Sequence, residues 1–272
     1  MEQHLICLDL DGTLLNSKQE ITPLTKKVIR MLQAQGHKFI ISTGRPYRAS
    51  QIYYNELDLD TPIVNFNGAF VHHPCDMNFE TFHETLDFEV AREIFSKIPH
   101  LNIKNIVAEI KDNVFLHYHD EYLFEGFSMG NPVIKIGDLL ENITEPPTTI
   151  LIQAEESEIP NIYKHFDEIY ADRLEHRRWG APFPVIEIVK KGISKAVGVK
   201  ICHEYLNIKR EHIIAFGDED NDNEMIKYAG TGVAMGNAID ELKSIADEIT
   251  ASNNEDGIAK FLIQYFNLEV SQ

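Results

Sequence analysis

The segment Asp9-Leu10-Asp11-Gly12-Thr13 follows directly on the apolar run Leu5-Ile6-Cys7-Leu8, and this pairing constrains the chain more than any other feature. An unbroken apolar run closed by a glycine turn predicts a strand buried on both faces of a parallel sheet. The carboxyl end of such a strand opens into a crevice. Residues two apart on a strand point the same way, so extended geometry would aim Asp9 and Asp11 into one pocket. Two carboxylates in one pocket repel, which calls for a cation, a shared proton or a chain that turns apart at Gly12. For a motif this short, a plain acidic turn after a strand is the alternative.

A calcium loop of the helix-loop-helix type does not fit. Asp9, Asp11 and Glu20 match its first, third and twelfth positions, but the sixth, which needs glycine, is Leu14. The run Asp218-Glu219-Asp220-Asn221-Asp222 fails in the same way, with Asn223 sixth and Ala229 twelfth.

At 272 residues the chain is near the size where one core stops growing and a second domain is expected. Its 43 acidic against 25 basic residues leave a net charge of −18, which argues against nucleic acid and anionic membrane as partners. An anionic substrate would then need a local positive site or a metal. Cys7, Cys75 and Cys202 form no close-spaced pair, and this odd count without a signal peptide fits a reducing cytoplasm. No apolar stretch is long enough to span a bilayer.

Thr22-Pro23 predicts an N-cap and first helical residue, with Leu24, Val28, Ile29 and Leu32 at helical spacing until Gly36. Strands are expected at Phe39-Ile40-Ile41-Ser42 and Pro62-Ile63-Val64, with a turn and helix from Thr43-Gly44-Arg45-Pro46 between them. Alternation of this kind predicts a doubly wound α/β domain. From Phe82 to about Glu187 the pattern changes to hairpin-like strands, at Val107 to Ile110, Val114 to Tyr118, Thr149 to Gln153 and Val185 to Val189. Helices are expected near Glu89 to Ser96 and Ile159 to Ile169, and the breaks at Pro146-Pro147 and Pro182 to Pro184 support a separate unit. The reading is therefore a discontinuous α/β core over 1–81 and 190–272, with an α+β unit over 82–189 inserted as a lid.

A second acidic turn, Asp218 to Asp222, ends a second buried strand, Ile213-Ile214-Ala215-Phe216. Two acidic strand ends on one sheet edge would suit a hard divalent cation, Mg²⁺ above all, shared by Asp9, Asp11 and Asp218. A solvated acidic loop is the plainer alternative. Lys195 sits at a predicted helix start, where positive charge opposes the helix dipole, so it is either an ordinary exposed lysine or one drawn to an anion or to the aspartates. Thr43-Gly44 offers a hydroxyl and open N–H groups at a helix entrance, which is an anion seat or a plain capping turn.

These segments occur in the order Asp-Leu-Asp-Gly-Thr, Ser-Thr-Gly-Arg, Lys195 and Gly-Asp-x-x-Asn-Asp, and that order resembles the haloacid dehalogenase superfamily of phosphohydrolases. Asn67-Gly68-Ala69, Gly192-Ile193-Ser194-Lys195 and Ala234-Met235-Gly236-Asn237-Ala238 are similar to phrases of its Cof-type branch. The resemblance implies Asp9 as nucleophile, forming an aspartyl-phosphate, and Asp11 as the acid and base that protonates the leaving oxygen and then activates water. It implies Mg²⁺ on the Asp9 side chain, the Asp11 backbone carbonyl and Asp218, with Asp222 supporting from behind. It also implies a phosphate seat from Thr43, the N–H groups of Leu10 and Gly44, Lys195 and Asn221.

The expected activity is Mg²⁺-dependent hydrolysis of small phosphorylated metabolites, with sugar phosphates as the leading class. Phosphoryl transfer to another hydroxyl on the same fold, as in a phosphomutase, and a non-catalytic phosphate-binding or signalling role are the alternatives. Within the lid, Arg177-Arg178-Trp179 is either a sugar or phosphate contact or an exposed strand end, and His117-Tyr118-His119 lacks a third metal ligand nearby.

Overall fold

The computed structural model describes residues 2–97, 102–178 and 185–270, in two compact units. One comprises Met1–Arg45, Ser50–Phe82 and Ser194–Gln272; the other comprises Pro46–Ala49 and His83–Ile193. Trp179 and the Pro182 to Pro184 break lie outside the described residues.

The first unit opens with β1 (Leu5–Leu8), α1 (Pro23–Ala34), β2 (Lys38–Ile41), α2 (Tyr47–Glu56), β3 (Ile63–Asn65), β4 (Phe70–His72) and the two-residue β5 (Phe82–His83). In α1 the Thr22 side chain accepts from the Thr25 N–H, and Pro23 takes the first helical position, where no donor is missed. Val28, Ile29 and Leu32 share the buried face, each contributing about 1.5–3 kcal/mol of hydrophobic stabilisation.

The second unit contains α3 (Phe88–Ser96), β6 (Ile103–Ile110), β7 (Asn113–Leu116), α4 (Glu121–Phe127), β8 (Ile134–Ile136), α5 (Leu139–Asn142), β9 (Thr149–Ala154), α6 (Ile159–Tyr170), β10 (Leu174–Arg178) and β11 (Val185–Lys190). Its sheet runs β10-β11-β9-β6-β7-β8, antiparallel except at β7 and β8. Alternate residues of β6, β9 and β11, among them Ile106, Ala108, Ile150, Ile152, Ile186 and Ile188, share a core with Val90, Ile94, Ile162 and Phe166 of the helices. The other face is covered as well, where Val107, Leu151 and Val185 pack with Leu123 and Phe127 of α4. A hairpin joins β6 to β7 at Lys111-Asp112, with Lys111 left-handed at φ 53.

Four elements of this unit, α4, β8, α5 and β10, go beyond the sequence expectations. The strand expected to reach Tyr118 ends at Leu116. Asp120 then caps the short α4, and the chain returns as β8 parallel to β7, so hairpins do not account for every pair. The edge strand β10, Leu-Glu-His-Arg-Arg, has too few apolar residues for periodicity to reveal it.

The first unit resumes with α7 (Lys195–Tyr205), β12 (Ile213–Gly217), α8 (Asn223–Tyr228), β13 (Thr231–Ala234), α9 (Asp240–Ile245), β14 (Glu248–Ile249) and α10 (Gly257–Phe266). Its sheet is parallel, in the order β14-β13-β12-β1-β2, and a single bridge from Ser42 to Val64 continues it to β3. The doubly wound core and the inserted α+β unit expected from the sequence are both present. Strand order reverses at β1, which pairs with β2 on one side and with β12 on the other. Leu8 lies opposite Phe216, so the two acidic turns leave the sheet at the same height, at its topological switch point. No helix among the described residues is long and apolar enough to cross a membrane.

Helix α7 packs on β3 through Gly198, where an added Cβ would lie 2.3 Å from Val64 Cγ1. Alanine in a helix gains about 1 kcal/mol over glycine, but forcing a methyl against a buried β-branched side chain costs about 1–3 kcal/mol. Gly198→Ala is therefore expected to lower the unfolding free energy in urea titrations, and an increase would contradict this packing.

Candidate active site

Asp9 leaves β1 with its N–H donating to the Phe216 carbonyl at 3.3 Å, so hydrogen bonding to β12 continues one residue beyond the strand and fixes where the Asp9 side chain emerges. The chain then coils back, with the Leu10 carbonyl accepting from the N–H groups of Thr13 (3.3 Å) and Leu15 (2.9 Å). Gly12 makes this turn possible: its φ is +74, and an added Cβ would lie 2.0 Å from Asp218 Oδ2. The two acidic turns are thereby brought into contact. The Thr13 hydroxyl donates to Asp218 Oδ1 at 2.8 Å, and Asn237 Nδ2 donates to the Gly12 carbonyl at 2.8 Å.

Lys195 stands at the first position of α7 and is fully buried. Its ammonium donates to Asp9 Oδ1 at 2.6 Å and to Asp222 Oδ1 at 2.7 Å. The other Asp222 oxygen accepts from the N–H groups of Asp218 (3.0 Å) and Glu219 (3.3 Å). Asp222 therefore ties the second acidic turn to the lysine. The helix dipole opposes a lysine here by about 0.3–1 kcal/mol, which two buried ion pairs outweigh. Burial alone would favour the neutral amine, yet Asp222 and Asp9 prevail and hold Lys195 above its ordinary pKa.

Asp9, Asp218 and Asp222 are all buried and offer oxygens within 4.8 Å of one another, which no other three His, Cys, Asp or Glu residues do among those described. Burial pushes Asp9 up to about 7; Lys195 opposes the shift, while Asp222 and Asp11 add to it. Asp218 is pushed up to about 8 by burial, Asp9 and Asp222. Three carboxylates facing one ammonium leave two negative charges uncompensated when all are ionised. An oxygen-only set with that excess fits a hard divalent cation.

The remaining sequence candidates lie around this cluster. Thr43, buried at the end of β2, accepts from the Arg45 N–H through its hydroxyl at 3.1 Å, and Gly44 beside it is partly buried. Asn221 donates to Asn67 Oδ1 at 3.0 Å, which joins the last acidic motif to the turn after β3. The Asp11 carboxylate lies apart from the buried group. Its side chain is 51% exposed and forms an ion pair with Arg45. Sequence reasoning assigned no part to Arg45, Thr13, Asn67 or Asn237, although each lies in a phrase it singled out; their partners are distant in sequence and only the fold brings them together.

In the second unit Arg177 is partly buried and pairs with the buried Glu187, and the exposed Arg178 pairs with Glu156. His117 Nδ1 accepts from the Leu139 N–H at 3.4 Å, and His119 stacks near Phe124.

A family model described as haloacid dehalogenase-like hydrolase matches residues 6–262. The 5-amino-6-(5-phospho-D-ribitylamino)uracil phosphatase YitU of Bacillus subtilis is 49% identical over 97% of this chain and 98% of its own. A second B. subtilis protein named for the same activity, YcsE, is 32% identical over 94% of this chain and 93% of its own. A solved haloacid dehalogenase-like hydrolase from Bacteroides thetaiotaomicron superposes with a TM-score of 0.86 at 29% identity, covering 97% of this chain and 100% of that one.

The buried charges predict a pH dependence of stability. The folded values of Asp9 and Asp218, about 7 and about 8, lie above the unfolded value of 3.8, so across that window the native state holds more protons than the unfolded chain. Their contribution to stability in metal-free buffer is full below the unfolded value and is lost as pH rises through the folded values. Lys195→Met removes the one compensating charge and is expected to cost about 3–5 kcal/mol in urea titrations at about pH 8 and less at about pH 5. An equal cost at both pH values would show that the ion pairs are not what the lysine contributes.

Proposed function

The chain belongs to the haloacid dehalogenase-like hydrolases, in their Cof-type branch, and is a phosphoric monoester hydrolase; from that premise we propose that it is a Mg²⁺-dependent phosphatase acting on 5-amino-6-(5-phospho-D-ribitylamino)uracil. The observation that carries the phosphatase chemistry is the fully buried Lys195 bonded to both Asp9 and Asp222, with Asp218 alongside. The substrate rests on the two B. subtilis relatives named for it, one of them 49% identical over nearly the whole chain. By its name this substrate is a phosphorylated ribitylaminouracil, which replaces simple sugar phosphates as the leading class.

Asp9 is the nucleophile. Lys195 holds one of its oxygens, which restrains the carboxylate and leaves the other oxygen for phosphorus. Asp11 donates a proton to the leaving oxygen and, as the carboxylate, later accepts one from the water that hydrolyses the aspartyl-phosphate. A ribityl alkoxide is a poor leaving group, so the first of these transfers matters for this substrate. Thr43, the N–H groups of Leu10 and Gly44, Asn221 and Lys195 seat the phosphoryl oxygens, and Asp222 holds Lys195 in place. Mg²⁺, held by Asp9, the Asp11 carbonyl and Asp218, would neutralise charge on the transferring phosphoryl group. The three free cysteines suit a reducing cytoplasm.

Phosphate release from 5-amino-6-(5-phospho-D-ribitylamino)uracil, compared with a panel of pentose and hexose phosphates, tests this reading. The ribitylaminouracil phosphate should have the highest kcat/KM. Its turnover should require Mg²⁺ and fall by about 10³-fold or more in Asp9→Asn. Preference for simple sugar phosphates would overturn the substrate, and full turnover by Asp9→Asn would overturn the chemistry.

A further inference from the structure

Asp11 differs from the other aspartates of the site in being half exposed and in having its carboxylate gripped from outside the buried cluster. Arg45 Nε donates to Asp11 Oδ2 at 2.7 Å and Arg45 Nη2 donates to Oδ1, so the guanidinium meets the carboxylate as a two-pronged fork. The arginine is itself restrained. Nη2 also donates to Gln19 Oε1, and the guanidinium lies 5.6 Å from the centre of the Tyr53 ring. The Tyr53 hydroxyl donates to the Gln19 carbonyl at 3.2 Å, which closes the support around the fork. At its backbone, Arg45 donates to Thr43 Oγ1 and accepts from Asn65 Nδ2 at 2.9 Å. Arg45 is thus anchored in the same turn that carries Thr43 and Gly44, while its side chain reaches back to the turn after β1.

We propose that Arg45, supported by Gln19 and Tyr53, is a positioning residue that orients the Asp11 carboxyl group for proton transfer to the leaving oxygen. The proposal rests on Asp11 being the acid of the preceding reading. A guanidinium remains protonated throughout, so Arg45 itself neither gives nor takes the proton. The fork occupies two of about four lone-pair positions of the carboxylate and leaves an outer one on each oxygen to carry a proton. In the transfer, an Asp9 oxygen bonds to phosphorus as the bond from phosphorus to the leaving oxygen breaks. The electron pair of the broken bond stays on that oxygen, which takes the proton from Asp11. A half-exposed carboxyl without the fork would sample several rotamers, and misplacement of a reacting group by about 1 Å costs about 10²-fold in rate.

The orienting role has a signature that a purely structural role lacks, because a proton donor matters in proportion to how poor the leaving group is. The measurement is kcat/KM, which covers the steps through phosphoryl transfer to Asp9, for an alkyl phosphate and for p-nitrophenyl phosphate. Arg45→Ala is expected to lose about 10²-fold on the alkyl ester and to change little on the aryl ester. Arg45→Lys keeps the charge without the fork and should recover only part of the loss. Gln19→Ala removes one support from an exposed site and should show the same selectivity at smaller size. In an Asp11→Asn background, Arg45→Ala should add almost nothing.

Equal losses on both esters, full recovery in Arg45→Lys, or an undiminished Arg45→Ala effect in Asp11→Asn would each overturn the proposal. If Asp11→Asn itself shows no leaving-group selectivity, the acid role assigned to Asp11 falls and this inference with it. If Asp11→Asn shows that selectivity and Arg45→Ala does not, the positioning role alone is wrong.

Discussion

The site depends on one buried ammonium held between two buried carboxylates. Lys195 comes from the start of α7, Asp9 from the end of β1 and Asp222 from beyond β12, so the two ion pairs tie together three separate parts of the chain. Charged groups this deeply buried are stable only when each is paired and its remaining hydrogen-bonding capacity is used. Asp222 meets that condition through Lys195 and the N–H groups of the Asp218 turn, whereas Asp218 accepts from the Thr13 hydroxyl and has its pKa pushed up by burial and by its neighbours Asp9 and Asp222. The same arrangement leaves more negative charge than one lysine balances, and this excess is what makes the cluster suited to a divalent cation.

The sheet topology explains why these groups meet. A parallel sheet places the carboxyl ends of its strands along one edge, and reversal of strand order beside β1 opens a crevice there. With Leu8 opposite Phe216, Asp9 and Asp218 follow their strands at neighbouring positions. Gly12 then allows the first turn to press against Asp218, an approach that any side chain at that position would block. The fold thus determines the electrostatics of the site, and the remaining variable is the placement of Asp11, which lies outside the buried group on Arg45.

Much of this was legible in the sequence because its strongest signals are local. Unbroken apolar runs such as Leu5-Ile6-Cys7-Leu8 and Ile213-Ile214-Ala215-Phe216 mark buried parallel strands, and each is closely followed by its acidic turn. The misplaced charge of Lys195 at a helix start was legible as an anomaly, and the two aspartates account for it. The partners of Arg45, Thr13, Asn67 and Asn237 were not legible, since their contacts join positions 34, 205, 154 and 225 residues apart. Nor were α4, β8 and β10, which are short or charged and owe their form to neighbouring elements rather than to a period of their own.

The central claim is that Asp9 takes the phosphoryl group while Lys195 holds it in place. Mass analysis of peptides from enzyme quenched in acid during turnover tests it most directly. One added phosphoryl group is expected on the peptide that contains Asp9, and none in Asp9→Asn. A phosphoryl group on another residue, or steady turnover with no covalent adduct under conditions that preserve acyl phosphates, would contradict it.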